Sequence, residues 1–300
     1  MLDPRAVERS LADLTRYIEE QGLETPEQVE EIVKRITETG EFPHQEPQSD
    51  VGRAQDTMYD AWSETSTRKR VQLAKRALKI SPDCADAYVL LAEETAKTAE
   101  EAYDFYRAGV AAGERALGAD AFERDTGHFW EIMETRPYLR ALYGLAQLEI
   151  ELGAIDAGIA AFRRILELNP NDNQGARFQL LSILLETEKT AEVHKLLRQY
   201  KDEFSASWAY GRALLTFLEH GNTRHSRANL QEALQRNIYF PAYLLGALPI
   251  PDELPEYMEF GSASEGLTLY FEQGPAWDTH EKALDWLVEV IGRTPPPPRS

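Results

Sequence analysis

Apolar residues recur along this chain at the three-to-four-residue spacing of amphipathic helices, and no stretch sustains the two-residue alternation of a half-buried strand. Val7, Leu11, Leu14 and Ile18 form one stripe, opened by Asp3 as cap and Pro4 in the first turn and closed by Gly22. Val29, Ile32, Val33 and Ile36 form a second. There Thr25 is the cap, Pro26 opens the helix, Gln28 completes a capping box and Gly40 ends the pattern. Residues 1–40 therefore predict a helical hairpin. Residues 41–50, EFPHQEPQSD, are rich in proline and polar side chains, support neither period and read as a linker.

From about residue 51 the pattern repeats in pairs. Pro82 and Pro170 each close a helix with small or apolar positions, Ala74 and Ala77 before the first, Phe162 and Ile165 before the second. On a 34-residue grid, Gly153 falls at a turn, and Leu142, Leu145 and Ala146 occupy the same packing positions as Tyr88, Leu91 and Ala92. The grid predicts helix pairs at about 51–82, 85–117, 139–170, 172–202 and 205–236. A single hairpin cannot bury its own apolar face, so at least three must stack, and five meet that need. The expected fold is all-α, a right-handed tetratricopeptide-like α-solenoid over 51–237. An insertion at 118–137 is fastened to it by Phe129 and Trp130. Capping helices at 238–292 follow, two of them short and ending at KALDWLVEVIG, and 293–300 form an extended Pro-rich tail.

Blocks along this region carry a family resemblance: SPDCADAYVLLAEE, ETRPYLRALYGLA, NPNDNQGAR and FPAYLLG, with LPEYMEFG and ALDWL further on. Together, over residues 54–288, they resemble tetratricopeptide-containing proteins related to suppressor of tumorigenicity protein seven, a family with many bacterial members. The resemblance implies a helical repeat fold and an interaction role, and it brings no reaction and no catalytic residues. Animal members are membrane-associated. This chain has no window near the roughly 18 uninterrupted apolar residues of a spanning helix, so that location is not carried over.

Composition narrows the partners. With 43% hydrophobic and 28% charged residues the chain is expected to fold, and its net charge of −19 repels phosphate backbones and anionic lipid, so nucleic acid and membrane surfaces are disfavoured. An acidic mimic that competes with nucleic acid for a basic protein rests on that charge alone. Residues 1–30 show no signal-peptide pattern, and the expected location is cytoplasmic. Cys84, the single cysteine, reads as a small buried structural thiol. No pattern specifies an oligomeric state.

In tetratricopeptide proteins the second, fifth and ninth positions of each pair's first helix face the concave groove. Here those positions are Arg140, Tyr143 and Gln147, then Gln174 and Arg177, with Asn173 just before. Two arginines and several amides converging in this way suit a peptide carboxylate, since guanidinium bonds to carboxylate contribute about 1.5–3 kcal/mol each. The competing reading is local structure: Asn171 and Asp172 cap the next helix, Gly175 permits close packing and Arg177 pairs with Glu134 or Glu149. Trp62, Tyr88 and Trp208 read as core, while Tyr143 and Tyr210 are candidates to present rings to the groove.

The leading expectation is an adaptor that binds a protein or peptide in the groove. The alternative is an enzyme or small-molecule sensor with a polar site at His128, Glu134, Arg136 and Asp172, beside the insertion. No GxSxG, Walker or HExxH motif supports catalysis, and no cofactor is indicated. His220 and His225 flank a turn without a third metal ligand in reach, and the acidic run at 19–31 reads as a solvated face, with docking of a basic partner as its alternative.

Overall fold

In a computed structural model, described here for residues 4–22, 25–40, 45–255 and 257–293, helices are joined by short turns and no strand occurs among the described residues. The chain divides into two compact units, Met1–Asn173 and Gln174–Ser300.

The first unit opens with a 3-10 turn at Pro4–Val7 and α1 (Glu8–Glu20). It continues with α2 (Pro26–Thr39), α3 (Asp50–Ser63), α4 (Thr67–Ile80), α5 (Ala85–Thr95) and α6 (Ala99–Leu117). After the short α7 (Ala119–Arg124) and 3-10 turns at Phe129–Glu131 and Met133–Thr135 come α8 (Arg136–Glu151) and α9 (Ile155–Leu168). The second unit holds α10 (Ala176–Glu186), α11 (Thr190–Gln199), α12 (Ala206–His220), α13 (Arg224–Arg236), α14 (Tyr239–Leu244), α15 (Ala263–Asp278) and α16 (Glu281–Arg293).

Sequential helices pack as neighbours: α3 on α4, α5 on α6, α8 on α9, α10 on α11 and α12 on α13. First helices also meet one another, α5 with α3 and α8 in the first unit, α10 with α12 in the second. Local chemistry sets the ends. Thr25 and Gln28 form the predicted capping box, and Gly40 ends α2 at φ 71°, a left-handed conformation that favours glycine. Ser49, Thr98, Ser205 and Ser262 each accept a backbone N–H at the start of α3, α6, α12 and α15.

Several sequence expectations change. Asp3, part of the linker and the residues from 294 onward lie outside the described residues. The segment Pro4–Val7 is a 3-10 turn, so α1 starts at Glu8. The apolar stripe of α1 is only partly covered: Val7 is 65% and Leu11 44% exposed, Leu14 and Ile18 are half-buried, and Glu8, Ala12 and Asp13 are buried. The insertion folds locally. Phe129 is buried in a ring cluster with Phe122 and Tyr138 at centroid distances of 5.2 and 6.2 Å, and the Gly127 N–H donates to Leu168 O at 3.1 Å. Trp130 stays half-buried under the Arg136 guanidinium.

The C-terminal helices are longer than predicted. After six-residue α14, α15 and α16 have 16 and 13 residues, and α15 packs on α10, α12 and α14. The buried Gln273 side chain fixes it there, donating to Ser207 O at 2.8 Å and Ser207 Oγ at 2.7 Å.

Small residues permit the close helix approaches. A Cβ on Gly144 of α8 would stand 2.1 Å from the Tyr106 ring of α6. Gly144→Ala is therefore expected to cost about 1–3 kcal/mol of stability by overpacking. Gly292→Ala, where no atom lies within 4 Å of the added carbon, should be neutral or slightly stabilising, and urea titration of both variants checks the contrast.

Candidate functional site

Arg136 and Arg140 lie four residues apart on α8, hence on one face. Arg140 is 11% exposed and holds two carboxylates at once. Its Nε and Nη2 donate to Asp86 of α5 at 2.8 and 2.7 Å, and its Nη1 donates to both oxygens of Glu8 of α1 at 3.0 Å. Arg136 adds a bond to Glu8 Oε1 at 3.2 Å and anchors its own Nε on Trp130 O at 2.8 Å. Gln55 of α3 donates to Asp86 Oδ2 at 2.7 Å. Four helices thus contribute to one buried polar cluster.

Its electrostatics balance. Two guanidinium groups face two carboxylates, and Asp86 is fully buried, so each charge depends on its partners for the solvation that water would have supplied. Burial works against the Arg140 charge, but Asp86 and then Glu8 outweigh it and raise its pKa. Burial, reinforced by the negative charge of Asp86, keeps the neighbouring Tyr59 phenol protonated. The same two effects push the buried Cys84 thiol up to about 12, which makes it a packing group rather than a nucleophile.

Helix α1 is fastened at further points. Arg5 donates to both oxygens of Glu93 at 3.0 Å and stacks over the Trp62 ring at 3.5 Å. Arg9 pairs with Asp60, and Arg16 bonds Asp56 at 3.1 Å. Beside this contact, between α1, the segment before α3, the start of α5 and the end of α6, lies a cleft of about 620 Å³ bordered by Arg16, Tyr59, Glu134 and Tyr138.

The other candidates from the sequence are placed as follows. Tyr143 is half-buried with its ring edge-on to Phe162 at 5.6 Å, and Gln147 and Asn173 are exposed. Gln174 is half-buried. Arg177 donates through Nε and Nη2 to Glu203 Oε2 at 3.1 and 2.6 Å and lies over the Phe178 ring at 4.3 Å. Burial opposes the Glu203 charge, yet the Ser205 backbone N–H and Arg177 hold its pKa below the ordinary value. Glu203 is a partner that the sequence did not suggest.

Gly175 serves its φ of 76° rather than helix packing, since an added Cβ would meet only the Phe178 ring at ordinary distance. As the residue preceding α10 it provides no side-chain cap. Tyr210 is fully buried and donates to Asn237 O at 2.6 Å, which corrects the expectation that its ring faces a groove.

Of the alternative polar set, Arg136 belongs to the cluster and Glu134 borders the cleft. His128 is exposed and sits 3.1 Å from Glu131, and Asp172 is buried in a turn at φ 52°. Among the described residues no group of three His, Cys, Asp or Glu side chains could hold a metal ion. No helix there is long and apolar enough to cross a membrane. His220 and His225 are exposed.

Glu8 and Asp86 are the site residues that the sequence missed. Each sits in a first helical turn, where an acid is ordinary, and their partners lie 54 to 132 residues away.

The second unit has its own buried acid. Glu265 accepts from Asn237 Nδ2 at 2.9 Å and from the Gly261 N–H at 2.7 Å, joining the start of α15 to the end of α13. One face along α15, burial and then the Glu265 charge push Glu272 up to about 7.

A family model described as ST7 protein matches residues 44–234. The chain is 29% identical to suppressor of tumorigenicity 7 protein-like of Gallus gallus, with 80% of this chain and 47% of that protein covered. It is 30% identical to the protein of that name from Bos taurus, with the same coverage. With the ST7 homolog of Drosophila melanogaster it shares 27% identity over 77% of this chain and 47% of that one. The chain spans about half the length of these curated relatives.

Two outcomes follow from the buried charges. Arg140→Ala strands Asp86 without its guanidinium and is expected to cost about 3–5 kcal/mol in urea unfolding, with part recovered by adding Asp86→Asn. Glu272 keeps its proton in the folded chain at pH values where the unfolded chain has released it. Stability therefore falls as pH rises from about 4.5 to about 7, and thermal melts of Glu272→Gln should show less of that fall than wild type.

Proposed function

The chain belongs to the ST7 protein family, and from that footing we propose that it is an adaptor that holds a protein or peptide against the first helices of its helix pairs. In this reading the pairs within each unit are tetratricopeptide-like repeats of a right-handed solenoid type, and the protein works in the cytoplasm without catalysing a reaction. Its net charge of −19 directs it away from nucleic acid and anionic lipid.

One observation carries the reading: Arg136 and Arg140 present a two-guanidinium seat that already accepts a carboxylate delivered by a helix, Glu8 of α1. A planar guanidinium pair fixes both the charge and the orientation of a carboxylate. The face around it, on α3, α5 and α8, thus has the chemistry of a peptide-recognition surface. Arg140, Tyr143 and Gln147 in the first unit and Gln174 and Arg177 in the second, with Asn173 before them, are the proposed contact positions.

The cleft of about 620 Å³ beside Glu134 supports a second reading, a small-molecule sensor. Native affinity purification separates the two. A protein companion is expected to travel with wild type and to be depleted about tenfold or more by Arg136→Gln in a chain that circular dichroism shows still folded at the working temperature, as loss of a charge-assisted bond implies. A tightly held metabolite and no companion dependent on Arg136 would favour the sensor.

A further inference from the structure

We propose that α1 is an internal occupant of the partner site, and that the partner is a helix of another protein with the charge order of α1 that replaces it. The inference rests on the adaptor reading of the α3, α5 and α8 face and adds how that face is regulated and what it recognises.

The contact of α1 and its leading turn with this face carries an ion pair at each of four positions, with Ala6 and Ala12 packed on the apolar core between them. Arg5, Glu8, Arg9 and Arg16 reach Glu93, the Arg136 and Arg140 pair, Asp60 and Asp56, so opposite charges meet along the helix from one end to the other. Ala12 is the buried apolar residue between them, whereas Val7 and Leu11 point to solvent. A helix normally docks through its apolar stripe. One that docks through its charged face buries little oily surface, and exchanging its ion pairs for identical pairs from another molecule leaves the net desolvation unchanged. Partly exposed pairs such as Arg9 with Asp60 are also weakened by salt.

The face discriminates by sign and position. Its positive seat, Arg136 and Arg140, is flanked by the acids Asp56, Asp60 and Glu93, so a uniformly acidic or basic peptide meets repulsion somewhere along it. The order that fits is arginine, two residues, glutamate, arginine, six residues, arginine, as at Arg5, Glu8, Arg9 and Arg16.

The test uses the full chain and a fluorescent synthetic peptide of residues 4–22. The chain carrying Arg5→Ala, Glu8→Ala and Arg9→Ala together changes no residue of the receiving face, leaves Arg140 its two bonds to Asp86 and weakens the internal helix. Hydrogen exchange over residues 8–20 is expected to show protection in wild type and its loss in this variant. The variant should bind the peptide about tenfold or more tightly than wild type, as removal of an internal competitor requires. The gain should vanish with a Glu8→Gln peptide. Full protection retained in the variant, or equal and tight peptide binding by both chains, would overturn internal occupancy while leaving the adaptor reading intact. A released α1 with no gain in peptide binding would overturn both. Dimers formed by exchanged α1 helices, seen by light scattering, would assign the site to a second copy and refute the external partner.

Discussion

A guanidinium almost wholly withdrawn from water must be surrounded by carboxylates, and that requirement organises the first unit. Arg140 obtains one carboxylate from α5 and another from α1, and Gln55 of α3 steadies the first of them. None of these helices could shift by an ångström or two without leaving a buried charge short of its partners. Apolar contacts tolerate small slides; a two-carboxylate fork does not. The cluster thus sets the register of helices whose packing alone would leave some freedom.

Close packing then uses the register that the charges set. Gly144 meets Tyr106 and Gly113 meets Tyr138, so a glycine on α8 and one on α6 each take in a tyrosine from the other helix. The arrangement brings α6 and α8 close along their length, and Gly144 follows Arg140 by four residues, so the seam borders the face of α8 that carries the two arginines. In the second unit hydrogen bonds to buried amides have the corresponding part: Asn237 links α13 to α15, and Gln273 links α15 to α12. Both are fully or nearly fully buried, where a misplaced amide would forfeit its bonds without compensation from water.

What the sequence made legible was whatever is written locally. The period of 3.6, the capping box at Thr25 and the turn at Gly153 all lie within a few residues of the structure they specify, and helices in adjacent pairs follow from them. Arg140 stood out in the sequence from its position on the expected repeat grid, as a residue for a partner's carboxylate; the carboxylates of this chain that reach it did not. Glu8 is 132 residues away and Asp86 is 54, and neither distance leaves a trace in periodicity. The stripe of Val7, Leu11, Leu14 and Ile18 shows the converse: it marks a helix, yet Val7 and Leu11 are exposed while Glu8 and Asp13 are buried, because hydrophobic period reports helix formation and says nothing of distant charge partners.

The acidity of the chain acquires a different meaning in this light. A net charge of −19 averaged over a surface suggests only solubility, yet Asp56, Asp60, Asp86 and Glu93 are each committed to an arginine, three of these arginines on α1 or its leading turn. Removing α1 from that face would withdraw Arg5, Arg9 and Arg16 from Glu93, Asp60 and Asp56, leaving three carboxylates without the guanidinium groups that now face them. Repulsion among the acids left behind raises the cost of an empty site, so the face favours being filled, by its own helix or by another of the same charge order. In the proposed exchange the pattern of charge, rather than its amount, is what an occupant has to match, a selectivity that bulk acidity alone could not provide.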